Sequence, residues 1–459
     1  MFELLMTLIN RFTMNFRKYK TIIAAFIVSV TTTLTVHAQE QLSLDEAVSR
    51  AKAQNLDLQA TKLDMTRASY DRVIARSALL PTVTATGVAN HYFDLPPFFG
   101  FGEGAPSEGK IPYGRFGGED QMAAMVSATQ PLLNLQAYPA LQRAKLKEQE
   151  SDLQFRDRQL ETVAIVKQTY LQVLVLQERI KVQEESIDRN QLALRDAKSL
   201  FLQGKGIRVD TLRAFTSVKN LEPVLLKLQY AEQTSMLRLK ALLAIDSLTE
   251  IHLSDSLFLR EGITIPSEDE VYAAARTQNP TYQVLTLQEQ IADRQERAAS
   301  GARMPTVSAV GAYQVSSQTN SFDYSNAYFP SYSFVGLQVA VPLFTGMANQ
   351  AKVKQAAVEK TQSALRKKDA YEQLRATAHQ MVANSRESLV RLQTTATVSE
   401  TARLSYSIVE YRYKKGVSSR LELTDAELAL ATAETNYLEA VYDYLSARIA
   451  LLRLMGREE

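Results

Sequence analysis

The sequence contains no cysteine and no tryptophan, and it has only 17 glycines and 13 prolines among 459 residues. Without cysteine the chain can form no disulfide and no thiolate metal site. It also has no cysteine nucleophile and no N-terminal cysteine that could carry a lipid anchor. The formal net charge of +2 lacks the basic excess of a nucleic-acid-binding surface. These absences exclude disulfide-stapled domains and thiol enzymes, and they argue against a nucleic-acid partner.

Recognisable catalytic motifs are also missing. The four histidines are scattered along the chain, and they form no Ser/His/Asp order and no HExxH sequence. No glycine-rich loop is present that would cradle a phosphate. The sequence therefore predicts no catalytic residues, no metal site and no cofactor, and an exported enzyme is the least supported class of function.

The N-terminus has the pattern of a secretory signal. A basic region precedes the apolar run of residues 21–36, and Val36-His37-Ala38 is typical of a cleavage site. Met14 would serve as initiator as well as Met1. We expect residues 1–38 to be removed on export. An inner-membrane anchor is the alternative, although the run is short for the roughly 20 residues of a spanning helix. No later segment is as apolar, so any membrane crossing by the mature chain must use β-strands.

A short motif occurs twice in the chain. Pro81-Thr-Val-Thr-Ala-Thr-Gly87 returns as Pro305-Thr-Val-Ser-Ala-Val-Gly311, and the residues before the two copies align without a gap. Gln54-Asn55, for example, corresponds to Gln278-Asn279 at the same register. So many matches at one spacing indicate an internal two-fold repeat.

Each copy of the motif marks a change from helix to strand. Residues 43–80 show apolar positions on one helical face, and Ser43 with Glu46 forms a capping box that the second half repeats. Pro81 and Pro305 end the helical pattern, because proline cannot continue helical hydrogen bonding and biases the preceding residue towards extended geometry. We therefore expect helix to give way to strand at these two junctions.

Two β-hairpins are predicted after these junctions. Residues 81–93 and 121–130 alternate as strands do, and a loop rich in proline, glycine and aromatic residues joins them. Residues 305–315 and 332–341 repeat the pattern around a loop rich in serine, asparagine and tyrosine. Strands of about ten residues cross a bilayer when they are tilted. The second strand of each hairpin is expected to stop at a proline, Pro131 or Pro342.

Long helical hairpins follow both pairs of strands. In the first segment, Leu153 and Leu160 are seven residues apart, and so are Ile187, Leu194 and Phe201, as a coiled-coil seam requires. The turns are predicted at Gly204-Lys-Gly206 and at Gly416. The last helix carries two parallel heptad stripes, which indicates neighbours on two sides, as in a closed ring of helices.

These patterns give a domain organisation. A signal peptide (1–38) precedes a first repeat (39–245), an equatorial linker (246–266) and a second repeat (267–459). Within each repeat a helix leads to a β-hairpin (about 81–131 and about 305–342) and then to a long helical hairpin (about 139–245 and about 347–455).

In this order the chain resembles the TolC family of outer-membrane channel proteins, from Leu42 to Met455. The marks are the doubled helix-to-strand turn, the strand-to-helix turns Pro131-Leu-Leu-Asn and Pro342-Leu-Phe-Thr-Gly, and the paired helix tips. The resemblance implies a mixed α/β membrane protein that forms a homotrimer. Each chain would give four strands to one twelve-stranded outer-membrane β-barrel, and its long helices to a periplasmic α-helical coiled-coil barrel. Two hairpins cannot close a barrel alone, and lipid does not tolerate open strand edges.

The resemblance also assigns a periplasmic gate. Asp210 matches the gate aspartate, and Tyr413 matches the tyrosine that bonds to it. Glu422 and Asp425 match the two acidic positions of a constriction ring, where the field would favour cations. The gate arginine of the family is absent, and Arg420 is the candidate substitute. On the residues alone, these carboxylates are equally well explained as solvated charges near helix starts.

Partners follow from the same resemblance. The family's helix tips dock with a periplasmic adaptor protein, which assigns that contact to Gly204, Gly206, Gly416 and Val417. The glycines are explained as well by simple helix-hairpin turns without a partner. The leading hypothesis is a passive exit duct for an adaptor and an inner-membrane transporter of the resistance (RND) or ABC type. Type I protein secretion is an alternative within the family, and a periplasmic coiled-coil scaffold without a pore is the alternative from another class.

Overall fold

The computed structural model describes residues 40–99, 113–257, 264–321 and 327–458. The predicted signal peptide, residues 1–38, lies outside these ranges. Within them, no helix is both long and apolar enough to cross a membrane.

The first half of the described chain leads from short helices through paired strands into a helical hairpin. Its elements are β1 (Glu40–Leu42), α1 (Leu44–Gln54), α2 (Leu56–Ser77), β2 (Thr82–His91), β3 (Pro97–Phe99), β4 (Tyr113–Arg115), β5 (Asp120–Leu133), α3 (Ala137–Leu202) and α4 (Arg208–Leu242).

The second half repeats this order. Its elements are β6 (Ile251–Leu253), α5 (Glu268–Gln278), α6 (Pro280–Gly301), β7 (Thr306–Thr319), β8 (Ser331–Ala340), α7 (Ala348–Lys414) and α8 (Arg420–Leu454). Helices α3 and α7 contain 66 and 67 residues, so each is roughly 100 Å long at about 1.5 Å per residue.

Four long strands form one antiparallel sheet in the order β2-β5-β7-β8. The pairing puts Val83 opposite Ala128 and Thr84 opposite Ser127, so alternate residues share a face. One face is mainly aliphatic, and the other carries mainly hydroxyl and amide side chains. β2 and β8 are the edge strands, and each has one unpaired side within the described chain.

The first loop contains a small hairpin where the sequence indicated only loop. β3 pairs antiparallel with β4. The ring of Phe98 lies 6.2 Å from that of Phe116, and the ring of Phe99 lies 6.0 Å from that of Tyr113. Aromatic pairs across neighbouring strands stabilise such pairing, which explains how a segment rich in proline and glycine still forms strands.

Strand β5 continues past the proline at which it was expected to stop. It ends at Leu133, with an irregular register between Pro131 and Leu133. Strand β2 pairs with β5 only as far as Thr129, so Pro131 lies where β5 has a neighbour on one side alone. A strand tolerates proline at such a position.

The helical segment before each hairpin is two helices rather than the single helix expected. Asn55 separates α1 from α2, and Asn279 separates α5 from α6. Each asparagine accepts backbone N–H groups of the following helix through its side-chain oxygen. The Nδ2 of Asn55 donates to the carbonyl of Leu242 at 2.8 Å, and that of Asn279 donates to Leu454 at 2.9 Å. Each buried asparagine side chain therefore caps the start of one helix and donates a hydrogen bond to a carbonyl group at the end of another.

The helices follow the order of the strands. Near the sheet they pack as α2-α3-α6-α7, and farther away as α4-α3-α8-α7. Helices α2 and α4 therefore lie on the side of β2, and α7 lies on the side of β8. Within the described residues, the chain is a row of elements whose sheet and helices have the same two open edges.

A buried polar contact fastens the N-terminal segment at the middle of the molecule, where β1 pairs in parallel with β6. Tyr170 of α3 is fully buried, and its hydroxyl lies 2.8 Å from both the carbonyl oxygen of Leu42 and the carboxylate of Asp255. Burial raises the pKa of Tyr170. The same carboxylate accepts the N–H of Leu44 at 2.7 Å, so Asp255 joins α1 to α3.

Candidate functional site

The two helix tips have the same backbone turn. Gly204 and Gly416 lie in the left-handed region with φ of +72° and +74°. The N–H of Lys205 donates to Leu200, and that of Val417 donates to Arg412, both at 2.9 Å. These bonds satisfy carbonyl groups at the ends of α3 and α7. A residue with a side chain would be strained at the positions of Gly204 and Gly416. Gly204, Gly416 and Val417 are exposed, as a docking surface requires.

Glu422 is the most constrained of the predicted gate carboxylates. Ser419 caps α8 by accepting the N–H of Glu422 at 3.2 Å. The hydroxyl of Ser418 donates to the Glu422 carboxylate at 2.8 Å. This hydrogen bond, with help from Ser419, holds the pKa of Glu422 below its usual value. The carboxylate stays exposed and ionised at the start of α8, where the helix dipole also favours it.

The other predicted gate residues are near the same turns. The guanidinium of Arg420 lies 6.0 Å from the centre of the Tyr413 ring, so the candidate substitute arginine contacts the candidate gate tyrosine. Asp210 lies half-buried in the first turn of α4, and Asp425 is exposed on α8. The hydrogen bonds of the described residues within one chain do not include one between Tyr413 and Asp210. That bond stays a prediction for an assembled tip.

Sequence reasoning missed a buried carboxylate on α8, five residues after Glu422. Glu427 is 8% exposed and accepts hydrogen bonds from Ser186 Oγ at 2.6 Å and Asn190 Nδ2 at 2.5 Å, both on α3. Arg189 Nε lies 3.6 Å from the same carboxylate, and its guanidinium lies 5.7 Å from the centre of the Tyr406 ring. The network joins α8 to α3 and α7 just behind the tip.

Glu427 belongs to a series of ion pairs between α3 and α8. Arg453 pairs with Glu161 at 3.4 Å near the middle of the molecule, and Arg179 pairs with Glu439 at 3.1 Å closer to the tip. The Glu439 side chain is 52% exposed, whereas the Glu427 side chain is 11% exposed. Of these three ion pairs, the Glu427 pair near the tip is therefore the least exposed to water. Charges there depend on one another more strongly, because less water screens them.

The four prolines of the predicted junctions lie where the helices meet the sheet. Pro81 and Pro305 come directly before β2 and β7, and Pro342 follows β8 by two residues. Pro131 lies within the last residues of β5. All four are at the end of the sheet that joins the helices.

The geometry of the sheet and helices defines a class of protein. A sheet with one aliphatic face, continued at one end by helices about 100 Å long and open at both edges, is a segment of a membrane channel with a helical extension.

Comparison with known proteins identifies that class. The family model described as outer membrane efflux protein matches residues 47–244 and 271–457. The alkaline protease secretion protein AprF of Pseudomonas aeruginosa is 24% identical over 72% of this chain and 68% of its own length. The outer membrane protein TolC of Vibrio cholerae is 21% identical over 90% of both chains. The CmeC outer membrane channel of Campylobacter jejuni superimposes with a TM-score of 0.75 at 16% identity, over 90% of this chain and 85% of CmeC.

The chain belongs to the outer membrane efflux protein family. It is an outer-membrane exit channel with its helical part in the periplasm, and the resemblance to the TolC family inferred from the sequence is confirmed.

Proposed function

We propose that three copies of this chain close into one channel that serves as the passive exit duct of an efflux system. The observation that carries the proposal is the pair of open edges. The same order of elements leaves β2, α2 and α4 free on one side and β8 and α7 free on the other. The β2 edge of one copy can pair with the β8 edge of a second copy. Such a contact repeated around an axis makes a closed ring.

Exposed aliphatic and aromatic side chains line both edges. On α2 they recur at sevens as Leu56, Leu63 and Tyr70, which are 71%, 69% and 64% exposed. On α7 the pairs Val358 and Leu365, and Leu404 and Tyr411, have the same spacing and similar exposure. Stripes at sevens are coiled-coil seams without a partner in the single chain. A second copy of the chain supplies that partner.

The sheet requires the same closure. The unpaired sides of β2 and β8 would leave backbone N–H and C=O groups without partners in lipid. Joining β8 of one copy to β2 of the next removes both edges. Three copies give one barrel of twelve strands. We further propose that residues 39–245, 246–266 and 267–459 act as first repeat, equatorial linker and second repeat.

The proposed duct conducts substrate that an inner-membrane transporter of the RND or ABC type delivers through a periplasmic adaptor. Membership of a family of outer-membrane channels supports this place in the pathway. The turns at Gly204, Gly206, Gly416 and Val417 are the proposed adaptor contacts, since they lie at the far end of the hairpins. Conduction through the proposed duct is passive and needs no catalytic step, because the transporter supplies the energy.

The acidic residues of the tips form the proposed periplasmic gate. In a three-fold assembly Asp210, Glu422 and Asp425 recur around one axis, and Tyr413 with Arg420 lies beside them. Such a ring concentrates multivalent cations. We expect Glu422→Gln with Asp425→Asn to weaken the block of single-channel conductance by trivalent cations about tenfold or more. If the block by trivalent cations were unchanged, these residues would not form the acidic ring. The proposed duct would not be affected by that result.

Protein secretion is the second candidate function. It is favoured by the likeness to AprF, which is a protease secretion protein. Deletion of the chain's gene distinguishes the candidates. Efflux predicts increased sensitivity to toxic small molecules with an unchanged set of secreted proteins, and secretion predicts the loss of particular proteins from the medium.

The proposed duct itself is tested by fractionation and conductance. We expect heat-resistant oligomers of three chains in the outer-membrane fraction, and stepwise conductance when they are added to planar bilayers. A monomer in the soluble periplasmic fraction would contradict the proposal.

A further inference from the structure

The two faces of the four-stranded sheet differ in the kind of side chain they carry. Val83, Val126 and Leu337 belong to the set of alternate residues on one face, and Thr84, Ser127 and Gln338 belong to the set on the other. In a membrane barrel the aliphatic face meets lipid, and the other face lines the lumen. The hydroxyl and amide side chains therefore belong to the lumen.

Neighbouring lumen residues satisfy one another. The hydroxyls of Thr84 and Ser127 lie 2.8 Å apart across β2 and β5. The hydroxyl of Tyr332 donates to Gln314 at 2.8 Å across β8 and β7. These neutral groups give the lumen polar contacts with water without a fixed charge.

Charged side chains are almost absent from the four strands. β2, β5, β7 and β8 contain no Lys, Arg or Glu, and their single Asp is Asp120. By register Asp120 lies on the aliphatic face at the outer end of β5, opposite His91. It is 2% exposed, and its carboxylate is hydrogen-bonded to His91 Nδ1 at 2.8 Å. The lumen face of the described strands carries no carboxylate, ammonium, guanidinium or imidazole group.

We propose that the membrane-spanning part of the channel is an electrically neutral conduit, and that any selection of cargo by charge takes place in the helical part. This inference rests on the proposed duct. It means that anionic, cationic and neutral cargo meet the same barrel wall. The chemical range of the cargo is then set before the outer membrane is reached, at the periplasmic end or by the transporter.

A charged lining would change ion concentrations at the barrel wall by a measurable factor. A ring of three like charges, acting across one Debye length of roughly 10 Å at 0.1 M salt, would attract one sign of ion and repel the other. Together these effects would change the ratio of cation to anion concentration at the wall by about fivefold. The neutral lining predicts no such change.

The lack of cysteine makes a direct test possible, because a single introduced cysteine is the only thiol in the chain. In Ser127→Cys, the thiol replaces a lumen hydroxyl of similar size. Cationic and anionic methanethiosulfonate reagents of similar size are applied from outside to the protein in the outer membrane. The ratio of their reaction rates is compared with the ratio for a small free thiol. We expect agreement within about threefold.

Matched variants establish what the measurement reports. Thr84→Asp combined with Ser127→Cys puts a carboxylate directly opposite the thiol, and it should shift the ratio about fivefold or more towards the cationic reagent. Val126→Cys lies on the lipid face, and it should react slowly with both reagents. This pair shows that the assay detects charge and distinguishes the two faces.

Three results would overturn the inference. The first is a rate ratio for Ser127→Cys that departs more than threefold from that of the free thiol. The second is reaction at Val126→Cys in place of Ser127→Cys, and the third is no reaction at Ser127→Cys in a channel that conducts. Failure of the duct itself is recognised separately, since the unsubstituted protein would then show neither outer-membrane oligomers nor conductance.

Discussion

Glu422 shows how two hydroxyls can keep a surface carboxylate charged. Its pKa in the folded chain is below the usual 4.5, chiefly because Ser418 donates to the ionised form. A lowered pKa means that the stabilisation is present above pH 4.5 and is lost as the pH falls through the lowered value. The negative charge of the tip therefore persists into mildly acidic conditions.

Removing the Ser418 hydroxyl should move this titration. In Ser418→Ala the pKa of Glu422 rises towards its usual value, so block by trivalent cations should disappear at a higher pH than in the unsubstituted channel. The measurement is single-channel conductance with a trivalent cation, titrated from about pH 6 to pH 3. Ser407→Ala is the control, because the Ser407 hydroxyl bonds only the carbonyl of Leu404. An identical titration of block in all three proteins would contradict the role of Ser418.

A second residue-scale prediction concerns the ends of the return helices. Ala244 follows α4 with φ of +52°, and Gly456 follows α8 with φ of +76° in the same turn. Alanine is strained there by about 1 kcal/mol, whereas glycine is not. We expect Ala244→Gly to stabilise the folded chain by about 0.5 kcal/mol after the entropic cost of glycine.

The reverse change supplies the contrast. A Cβ on Gly456 would lie 2.7 Å from the carbonyl of Gln278, so Gly456→Ala combines backbone strain with a steric overlap. It should destabilise the chain by about 2 kcal/mol. Thermal unfolding of the purified protein measures both effects. Equal midpoints for the unsubstituted protein and the two variants would contradict the interpretation.

The sequence predicted the turns at the helix tips better than it predicted the contacts that the tip residues make. Glycine at a helix reversal follows from local rules, because it depends on a few consecutive residues. The sequence does contain a signal for Glu427. This residue shares a heptad seam with Leu423 and Leu430, and an acidic residue at a seam position indicates a polar contact with a neighbouring helix. Its partners on α3 are distant in sequence and could not be named from spacing.

At the scale of elements, the contact between α3 and α8 depends on the buried Glu427 network. Glu427→Ala would leave Arg189 with only the exposed Glu185 as a counter-charge, at 3.4 Å. Arg189 already has two guanidinium nitrogens that are buried without hydrogen-bond partners. Breaking one partner of a buried ion pair costs about 3 kcal/mol or more. We expect easier proteolysis of the tips and a lower unfolding temperature.

A matched change on the same pair of helices is the control. Glu439→Ala removes an exposed partner of Arg179 and should cost about 0.5 kcal/mol. Replacing both Glu427 and Arg189 by aliphatic residues should recover part of the loss, because no charge is then left buried. If Glu427→Ala were no more harmful than Glu439→Ala, the network would not hold the hairpins together.

Sequence patterns located the elements but not all their breaks. The capping boxes and the prolines marked where helices begin and strands follow, since both are local effects. The break at Asn55 was missed, because asparagine within an apolar pattern favours a turn only weakly. Its decisive partner is the carbonyl of Leu242, which the fold brings from far along the chain. The same reason explains the second break, at Asn279.

At the scale of the whole molecule, the edge stripes predict assembly. Leu365→Glu places a charge in a seam that a second copy should cover, so three unpaired carboxylates would be buried in the ring. We expect loss of heat-resistant oligomers, measured by electrophoresis without boiling and by light scattering in detergent. Leu202→Glu is the control, since Leu202 is 84% exposed at a tip away from both edges. Oligomers that survive Leu365→Glu would contradict the assignment of this edge.

The duplicated sequence predicted the architecture at this scale, because a repeat constrains every element at once. The strand order β2-β5-β7-β8 did not follow from the residues, since the pairing of β5 with β7 joins the two halves through residues far apart in the sequence, such as Asp120 and Thr319. The identity of the two open edges depends on that pairing.

The open edges of the sheet also set the order of events in biogenesis. A single chain that reached the bilayer would expose unpaired backbone on β2 and β8 to lipid, which no spanning structure tolerates. The chains must therefore meet before or during insertion. The yield of inserted channel should rise more steeply than linearly with the amount of chain exported. A co-expressed copy with only one defective edge should reduce the yield by more than its share of the chains.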